Sequence, residues 1–157
     1  MEFIKDRMKK KAIIISIKGY KLSIKEKNLL ANEKPWGLML FKRNIKSLEQ
    51  IKKLIKRIRK LTKDSKFPIM IDEEGVAVSR LSKIVNHNFS QKSLGDIYKI
   101  NNKIFLIFYK NYINNLTAFL KKIGININTV PVLDVLRKNT NKIIGNRSFS
   151  NDPNVVK

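Results

Sequence analysis

The sequence alternates short apolar runs with longer amphipathic runs, and this alternation limits the folds open to the chain. Four short runs of apolar and β-branched residues are predicted to be strands: Ala12–Ile17, Trp36–Phe41, Phe67–Ile71 and Ile125–Val130. Helical patterns separate them, and a crossover of that length joins parallel strands. The pattern therefore predicts an α/β fold with a parallel sheet, either half of an eight-stranded barrel or a small open sheet.

Local signals mark where the predicted helices begin and end. Ser23 and Ser47 are each followed three positions later by Glu or Gln, which is capping-box spacing. After Ser47, apolar residues recur on one helical face and basic residues occupy the opposite face. We interpret the basic face as exposed to solvent and not as a nucleic-acid-binding surface. A loop is predicted from Ser79 to Ser93. A helical region from about Leu94 to Lys122 contains asparagines that predict a break, and Gly124 is predicted to end it.

The formal net charge of the chain is +22 at pH 7. Such a charge would suit nucleic acid or an anionic membrane surface as a partner. However, lysine outnumbers arginine 27 to 7, whereas proteins that recognise phosphates and bases favour the bidentate guanidinium of arginine. Isoleucine, lysine and asparagine, which all have AT-rich codons, make up 67 of the 157 residues. We therefore interpret the charge as codon bias and expect no nucleic-acid partner.

The amino-terminal sequence is basic, as signal peptides are, but its apolar run is only six residues long, from Ala12 to Ile17. No small-residue cleavage site follows that run. No stretch approaches the roughly 20 apolar residues of a transmembrane helix. The chain has no cysteine, which is compatible with a reducing compartment. We expect a cytoplasmic protein with no membrane segment, in which the first strand is buried.

Polar segments follow the predicted strands at the ends where ligands bind in both candidate folds. Asp72–Glu74 follows the third strand, Asp134 follows the fourth, and Ile143–Ser150 forms a later loop. The carboxylates of Asp72–Glu74 could bind Mg²⁺, carry out acid–base chemistry or accept hydrogen bonds from sugar hydroxyls. They could equally be structural, with one of them paired to Arg80 or to a backbone amide. The pattern alone leaves these alternatives open.

Four segments resemble motifs of glycoside hydrolase family 3, in the order in which the family has them. Lys34–Ile45 is similar to Pro-x-Gly-x-Ile-Leu-Phe-x-Arg-Asn of the family's β-N-acetylglucosaminidases. Ile71–Leu81 resembles Ile-Asp-Gln-Glu-Gly-Gly-Arg-Val-x-Arg-Leu. Gly124–Val135 is similar to Gly-Ile-Asn-x-x-x-x-Pro-Val-x-Asp-Val, and Ile144–Ser150 to Ile-Gly-Asp-Arg-Ser-Phe. Together these motifs span nearly the whole chain.

The resemblance implies a TIM (β/α)8 barrel, of which residues 1–157 supply about the first half. It also implies a β-N-acetylhexosaminidase that hydrolyses terminal β-N-acetylglucosamine from cell-wall (peptidoglycan) fragments. Such an enzyme retains configuration through a glycosyl-enzyme intermediate, and the resemblance implies neither a metal nor a cofactor. The alternatives are another family 3 glycosidase such as a β-glucosidase, an inactive pseudoenzyme or fragment and, ranked below these, a basic nucleic-acid-binding protein.

The resemblance carries substrate-binding roles onto Asp72, Arg80 and Arg147. Asp72 matches the carboxylate that binds hydroxyls of the non-reducing sugar. Arginine suits such a role because its fixed N–H donors match hydroxyl and carbonyl acceptors. We interpret Arg43 and Asn44, in the second-strand motif, as residues that brace the structure and take no part in catalysis.

Some positions depart from the family motifs. Val76 and Ala77 stand where the motif has its second glycine and an arginine, and Asn146 stands where it has an aspartate. If the backbone at position 76 needs a positive φ, valine is costly there, which leaves the geometry of this loop open. Asp134 lies in a family signature near the site, and we interpret it as bracing a loop.

The catalytic motifs of the family have no counterpart in this sequence, neither its Lys-His motif, its His-Asp acid/base pair nor its aspartate nucleophile. His87, the only histidine, matches none of them, and we interpret it as a surface loop residue. We therefore expect a chain that holds substrate-binding positions without catalytic residues, is inactive alone and lacks a carboxyl-terminal half. Because half a barrel leaves two unpaired sheet edges, we also expect it to fold poorly or self-associate.

Overall fold

The structure is a computed structural model that describes residues 10–157. The basic residues before Lys10, which enter the signal-peptide argument, lie outside the described residues. The strands of the described residues are β1 (Lys11–Ser16), β2 (Pro35–Leu40), β3 (Ile69–Ile71) and β4 (Ile127–Asn128). The helices are α1 (Ile24–Asn32), α2 (Leu48–Thr62), α3 (Gln91–Ile100), α4 (Asn102–Ile123) and α5 (Pro153–Val156). None of these helices is long and apolar enough to cross a membrane.

The four strands form one sheet in the order β1-β2-β3-β4, and every neighbouring pair is parallel. Leu38 on β2 lies opposite Ile69 on β3, and Met70 on β3 lies opposite Ile127 on β4. The predicted α/β fold with a parallel sheet is confirmed. Two strands are shorter than predicted, and β4 keeps only two residues of the predicted run.

The prediction that the first strand is buried is wrong. On β1, the exposed fractions of Ile13 and Ile14 are 51% and 46%. Within residues 10–157, β1 pairs only with β2 and forms an edge of the sheet. By contrast, β2 has a partner strand on each side, and Leu38 and Leu40 are fully buried. Burial of a β-branched run depends on which strands flank it, and the sequence of the run does not specify its neighbours.

The described chain divides into two compact units. The first extends to Ile71 and includes Leu120–Asn128; the second comprises Asp72–Phe119 and Thr129–Lys157. The first unit contains the sheet, α1 and α2. The apolar face of α2 is buried through Ile51, Leu54, Ile55 and Ile58, while its basic face is mostly exposed, as predicted.

The predicted helix boundaries are largely confirmed. Ser23 forms a complete capping box with Glu26. Ser47 accepts a hydrogen bond from the backbone N–H of Gln50, although the Gln50 side chain accepts from Lys46 instead of closing the box. The long helical region is broken at Asn101, which has an extended backbone between α3 and α4. Gly124 follows α4 with φ = +105°, the conformation of a terminating glycine.

The bracing interpretation of Arg43 and Asn44 is confirmed. The buried Asn44 amide donates to the carbonyls of Ile17 (2.9 Å) and Gly19 (3.1 Å), and its oxygen accepts from the Phe41 N–H (2.9 Å). The Arg43 Nε donates to the Ile17 carbonyl (3.1 Å), and its guanidinium stacks 4.5 Å from the centroid of the Phe41 ring. Both side chains therefore hold the segments that follow β1 and β2 together.

Gly95 allows α3 to pack closely on the segment around Phe149 in the second unit. A Cβ atom on Gly95 would lie 2.0 Å from the Phe149 carbonyl oxygen. We expect Gly95→Ala to destabilise this packing by about 1–3 kcal/mol, the usual cost of overpacking. Hydrogen exchange of the α3 amides measures the effect. Gly19→Ala is the matched control, since a Cβ there meets nothing within 4 Å; equal protection of the α3 amides in both variants would contradict the packing argument.

Candidate functional site

The candidate site begins at the carboxyl end of β3, where three acidic residues follow one another. The side chains of Asp72, Glu73 and Glu74 are 19%, 0% and 7% exposed. Each carboxylate has a different partner within the second unit. Asp72 therefore keeps the most contact with solvent, whereas Glu73 lies entirely inside the unit.

Asp72 forms a two-pronged ion pair with Arg80. The Arg80 Nε lies 2.6 Å from Oδ1 of Asp72, and Nη2 lies 2.5 Å from Oδ2. The hydrogen bonds with Asp72 raise the pKa of Arg80 against the opposing effect of burial, so the guanidinium stays charged. This pair is the structural alternative that the sequence left open for the carboxylate cluster. Both side chains remain partly exposed, so the pair still presents polar atoms to solvent.

Glu74 forms a second two-pronged pair, with Arg147. The Arg147 Nε and Nη2 atoms lie 2.7 Å and 2.9 Å from the two carboxylate oxygens of Glu74. Hydrogen bonding to Glu74 raises the pKa of Arg147, and the negative charges of Asp134 and Asp72 add to this effect. The pair joins the segment after β3 to the short turn Gly145–Arg147. The structure thus brings the three sequence-predicted residues, Asp72, Arg80 and Arg147, into one charged group.

Glu73 is the buried centre of this region. Its Oε2 accepts the backbone N–H groups of Arg80 and Leu81, each at 2.8 Å. Its Oε1 lies 2.8 Å from Nε2 of His87. A buried carboxylate requires such partners because losing its hydration is costly. Glu73 therefore fixes the backbone of Arg80, whose guanidinium pairs with Asp72.

The interpretation of His87 as a surface loop residue is wrong. Its side chain is 6% exposed and lies against Glu73. The Nδ1 of His87 lies 3.5 Å from the hydroxyl of Tyr112, a long hydrogen bond. The His87 ring thus lies between the Glu73 carboxylate on its Nε2 side and the Tyr112 hydroxyl on its Nδ1 side. Burial raises the pKa of Tyr112, and the charge of Glu73 raises it further, so the phenol keeps its proton.

Sequence reasoning missed the Glu73–His87–Tyr112 cluster. One signal was present, since the family motif has glutamine where this chain has Glu73. A charge placed next to a buried strand demands a partner. The single histidine was available as that partner, but only the folded loop brings the two residues together.

The loop after Glu74 adopts a regular turn despite its departures from the family motif. Gly75 has φ = +120°, and a Cβ there would lie 2.7 Å from the Phe89 carbonyl oxygen. Val76 does not have a positive φ, is exposed, and donates its N–H to the same Phe89 carbonyl at 3.3 Å. The backbone strain considered for Val76 therefore does not arise, because only the first glycine position of the motif, Gly75, needs the left-handed region.

Asp134 contributes to the region mainly through its backbone. Its carbonyl accepts the hydroxyl of Ser148 at 2.6 Å, and two residues later the N–H of Leu136 donates to the carbonyl of Ser150. The bracing role interpreted for Asp134 is confirmed at the level of the main chain. Its exposed side chain adds negative charge near Arg147.

A small, partly open pocket lies beside Glu73 and Glu74. Its volume is about 20 Å³, which is close to the space that one water molecule occupies. The lining includes Glu73, Glu74, Tyr109, Tyr112 and Phe149. A sugar ring cannot enter it, so a sugar would have to meet the partly exposed atoms on the solvent side. Within residues 10–157, no three His, Cys, Asp or Glu side chains converge in a way that could hold a metal ion.

Comparisons with known proteins identify relatives of the chain. The Glycosyl hydrolase family 3 N terminal domain matches residues 7–157. A curated β-hexosaminidase from Idiomarina loihiensis is 34% identical over 146 residues, which are 92% of this chain and 42% of that protein. One from Xanthomonas campestris pv. campestris (strain B100) is 29% identical over 144 residues, 92% of this chain and 43% of that protein.

Solved structures give the same result. NagZ from Neisseria gonorrhoeae, in complex with N-trifluoroacetyl-D-glucosamine, superposes with a TM-score of 0.80 at 28% identity, covering 94% of this chain and 44% of that one. A family 3 β-N-acetylglucosaminidase from Paenibacillus sp. str. FPU-7 gives a TM-score of 0.72 at 26% identity, with 91% and 27% covered. The parallel α/β architecture is therefore TIM-barrel-like, and the chain spans less than half the length of these relatives.

The central role of Glu73 can be tested by substitution. Glu73→Ala leaves the N–H groups of Arg80 and Leu81 without their carboxylate acceptor, and each unsatisfied group costs about 1–3 kcal/mol. Glu73→Gln keeps one carbonyl oxygen for the two N–H groups and should cost far less. Hydrogen exchange of the Arg80 and Leu81 amides reads the effect locally. The role assigned to Glu73 is wrong if these amides stay equally protected in the alanine and glutamine variants.

Proposed function

The chain belongs to glycosyl hydrolase family 3, and we propose that it forms the substrate-binding part of a β-N-acetylhexosaminidase. Its substrate is a glycan that ends in β-N-acetylglucosamine, and the reaction hydrolyses the O-glycosidic bond of that sugar. The names of the curated relatives, β-hexosaminidase, support this assignment. So does the N. gonorrhoeae NagZ complex with N-trifluoroacetyl-D-glucosamine. These relatives favour the hexosaminidase over a β-glucosidase.

The observation that carries the proposal is the pair of arginine–carboxylate contacts after β3. Asp72 offers carboxylate oxygens that accept hydrogen bonds from sugar hydroxyls, while Arg80 holds it in one orientation. Arg147, oriented by Glu74, directs N–H donors at hydroxyl or carbonyl oxygens of the sugar. A fixed set of donors and acceptors loses little entropy when it binds, which is the advantage of a preorganised site.

The chain supplies binding groups, and the catalytic groups lie elsewhere in the barrel. In a retaining glycosidase, an acid/base group and a nucleophile act in two displacements through a glycosyl-enzyme. The carboxylates at the site are each engaged in the contacts that orient Arg80, Arg147 and the loop backbone. This division fits a chain that spans 43–44% of the length of its relatives. The reaction thus requires the remaining strands of a (β/α)8 barrel.

The cellular setting follows from the same assignment. The protein acts in the cytoplasm on fragments of peptidoglycan that end in β-N-acetylglucosamine. The family resemblance and the cysteine-free sequence support this setting. Neither a metal nor a cofactor takes part.

The assignment of Arg147 can be tested in a protein that joins this chain to the remaining segment of the I. loihiensis β-hexosaminidase. We expect Arg147→Ala to lower kcat/KM for a chromogenic β-N-acetylglucosaminide by about 10- to 100-fold, since a charged hydrogen bond is worth about 1.5–3 kcal/mol. Arg43→Ala should lower it much less, because the Arg43 side chain donates to the Ser16 hydroxyl at 3.0 Å and to the Ile17 carbonyl and stacks on the Phe41 ring.

Two controls accompany this comparison. The chain alone should give no turnover above background, because it contributes binding groups only. Arg147→Lys keeps the charge but loses the two-pronged geometry, so it should fall between the parent and the alanine variant. Comparable losses for Arg43→Ala and Arg147→Ala in equally folded proteins would contradict the proposed role, and turnover by the purified chain alone would contradict the division of the barrel.

A further inference from the structure

A second charged region lies in the first unit, where α2 and α4 end. Residues of α2 from Lys52 onward, the last turn of α4 and the residues that follow each helix surround an open concavity of about 650 Å³. Seven basic side chains line it: Lys52, Lys56, Arg59, Lys60, Lys63, Lys121 and Lys122. The lining segments come just before β3 and β4, so the concavity lies at the amino ends of these strands. The acidic site described above begins at the carboxyl end of β3.

The positive charge of this concavity is not balanced from within. Asp64 is the one acidic residue in its lining, and its carboxylate already bonds Lys10 Nζ at 2.6 Å and the Lys66 N–H at 2.8 Å. Burial raises the pKa of Asp64, but these bonds and the nearby Arg59 lower it overall, so it is ionised. The carboxyl end of each helix adds about half a negative charge. Because Asp64 is already paired with Lys10, the two helix ends remain to oppose the seven positive charges, and together they balance about one of them.

The inner wall of the concavity holds an arginine in a fixed position. The Nη2 of Arg59 donates to the Gly124 carbonyl at 2.7 Å. Its Nε is buried and has no hydrogen-bond partner among residues 10–157. A Cβ on Gly124 would lie 3.2 Å from Arg59 Nη1 and 3.0 Å from Ile55 Cγ2. The glycine thus leaves room for the Arg59 guanidinium at the wall of the concavity.

Codon bias explains why the chain is rich in lysine, but it does not explain why lysines from two helices converge on one concavity. Like charges that face each other repel, and salt screens this repulsion strongly only when the charges are more than about 8–10 Å apart. An anionic occupant removes this repulsion. The volume lies within the range of about 300–1,000 Å³ that small-molecule sites occupy.

We propose that this concavity binds a small ligand that carries linked phosphate groups. One phosphate monoester has a charge of about −1.5 to −2 at pH 7, so a single phosphate would leave most of the positive charge unbalanced. Lysines bind phosphate as point charges, and Arg59 adds planar donors. No aromatic residue lines the concavity, which disfavours single-stranded nucleic acid, since its bases stack on aromatic side chains.

The test compares two triple variants with the same change in charge. The concavity variant lacks three exposed lysines of the concavity and combines Lys56→Gln, Lys60→Gln and Lys122→Gln. The second-unit variant lacks three exposed lysines of α3 and α4 and combines Lys99→Gln, Lys103→Gln and Lys110→Gln. Both triple variants and their parent are made in the protein that joins this chain to the remaining segment of the I. loihiensis β-hexosaminidase, because the chain alone is expected to self-associate. Calorimetry at about 0.15 M ionic strength measures binding of tripolyphosphate, ATP and a single-stranded oligonucleotide. Circular dichroism establishes that the parent and both variants have the same secondary structure.

We expect tripolyphosphate to bind the parent and the second-unit variant with similar Kd, and the concavity variant about tenfold or more weakly. Equal affinity for ATP would indicate that the phosphates alone are recognised, and tighter binding of ATP would indicate a nucleotide as their source. Equal weakening in both variants would show binding to the general charge and overturn the proposal. The proposal is also overturned if tripolyphosphate does not bind the parent. It is overturned as well if the oligonucleotide binds the parent more tightly than tripolyphosphate does and the concavity variant loses that binding.

Discussion

A parallel sheet requires cover on both faces because its strands are apolar on both sides, and an edge strand offers unpaired N–H and C=O groups to another chain. Within residues 10–157, β2 and β3 have a partner strand on each side, while β1 and β4 lie at the edges of the sheet. Leu38 and Ile69 are fully buried, whereas Ile13 and Ile14 are about half exposed. A closed barrel removes such edges altogether. The exposed edge at β1 therefore supports the proposal that this sheet belongs to a larger barrel.

In the acidic segment after β3, the buried side chain holds the loop backbone, and the more exposed side chains are the ones available to a ligand. Glu73 is internal and fixes the backbone of Arg80 and Leu81, with His87 and Tyr112 behind it. The partly exposed Asp72–Arg80 pair is held in a defined orientation by this framework, while Arg147 is oriented separately by Glu74. A binding site gains affinity when its polar groups are oriented before the ligand arrives. A pseudoenzyme could keep the same framework, so activity must be measured in a protein that contains the rest of the barrel.

Local features of the fold could be predicted from the sequence, and long-range pairings could not. Short apolar runs marked the strands, Ser23 marked a capped helix, and Gly124 marked a helix end, because each signal lies within a few residues. The exposure of β1 depends on neighbouring strands, which no local pattern specifies. His87 was misassigned because its partner, Glu73, lies 14 positions away, in a loop whose path the sequence left open. The Glu74–Arg147 pair joins residues 73 positions apart, and only the resemblance to a family placed Arg147 at the site.

We propose that this chain is one part of a barrel, with a sheet edge at β1 that accepts a partner strand. Size-exclusion chromatography with light scattering, followed by a thermal melt, tests this proposal on the chain alone and on the chain joined to the carboxyl-terminal segment of a relative. We expect the chain alone to self-associate or to melt without a sharp transition, and Ile14→Lys to reduce association because a charge on an edge strand blocks pairing. The joined protein should be monomeric and melt cooperatively. A monodisperse monomer of the chain alone, with a sharp cooperative transition, would contradict the proposal.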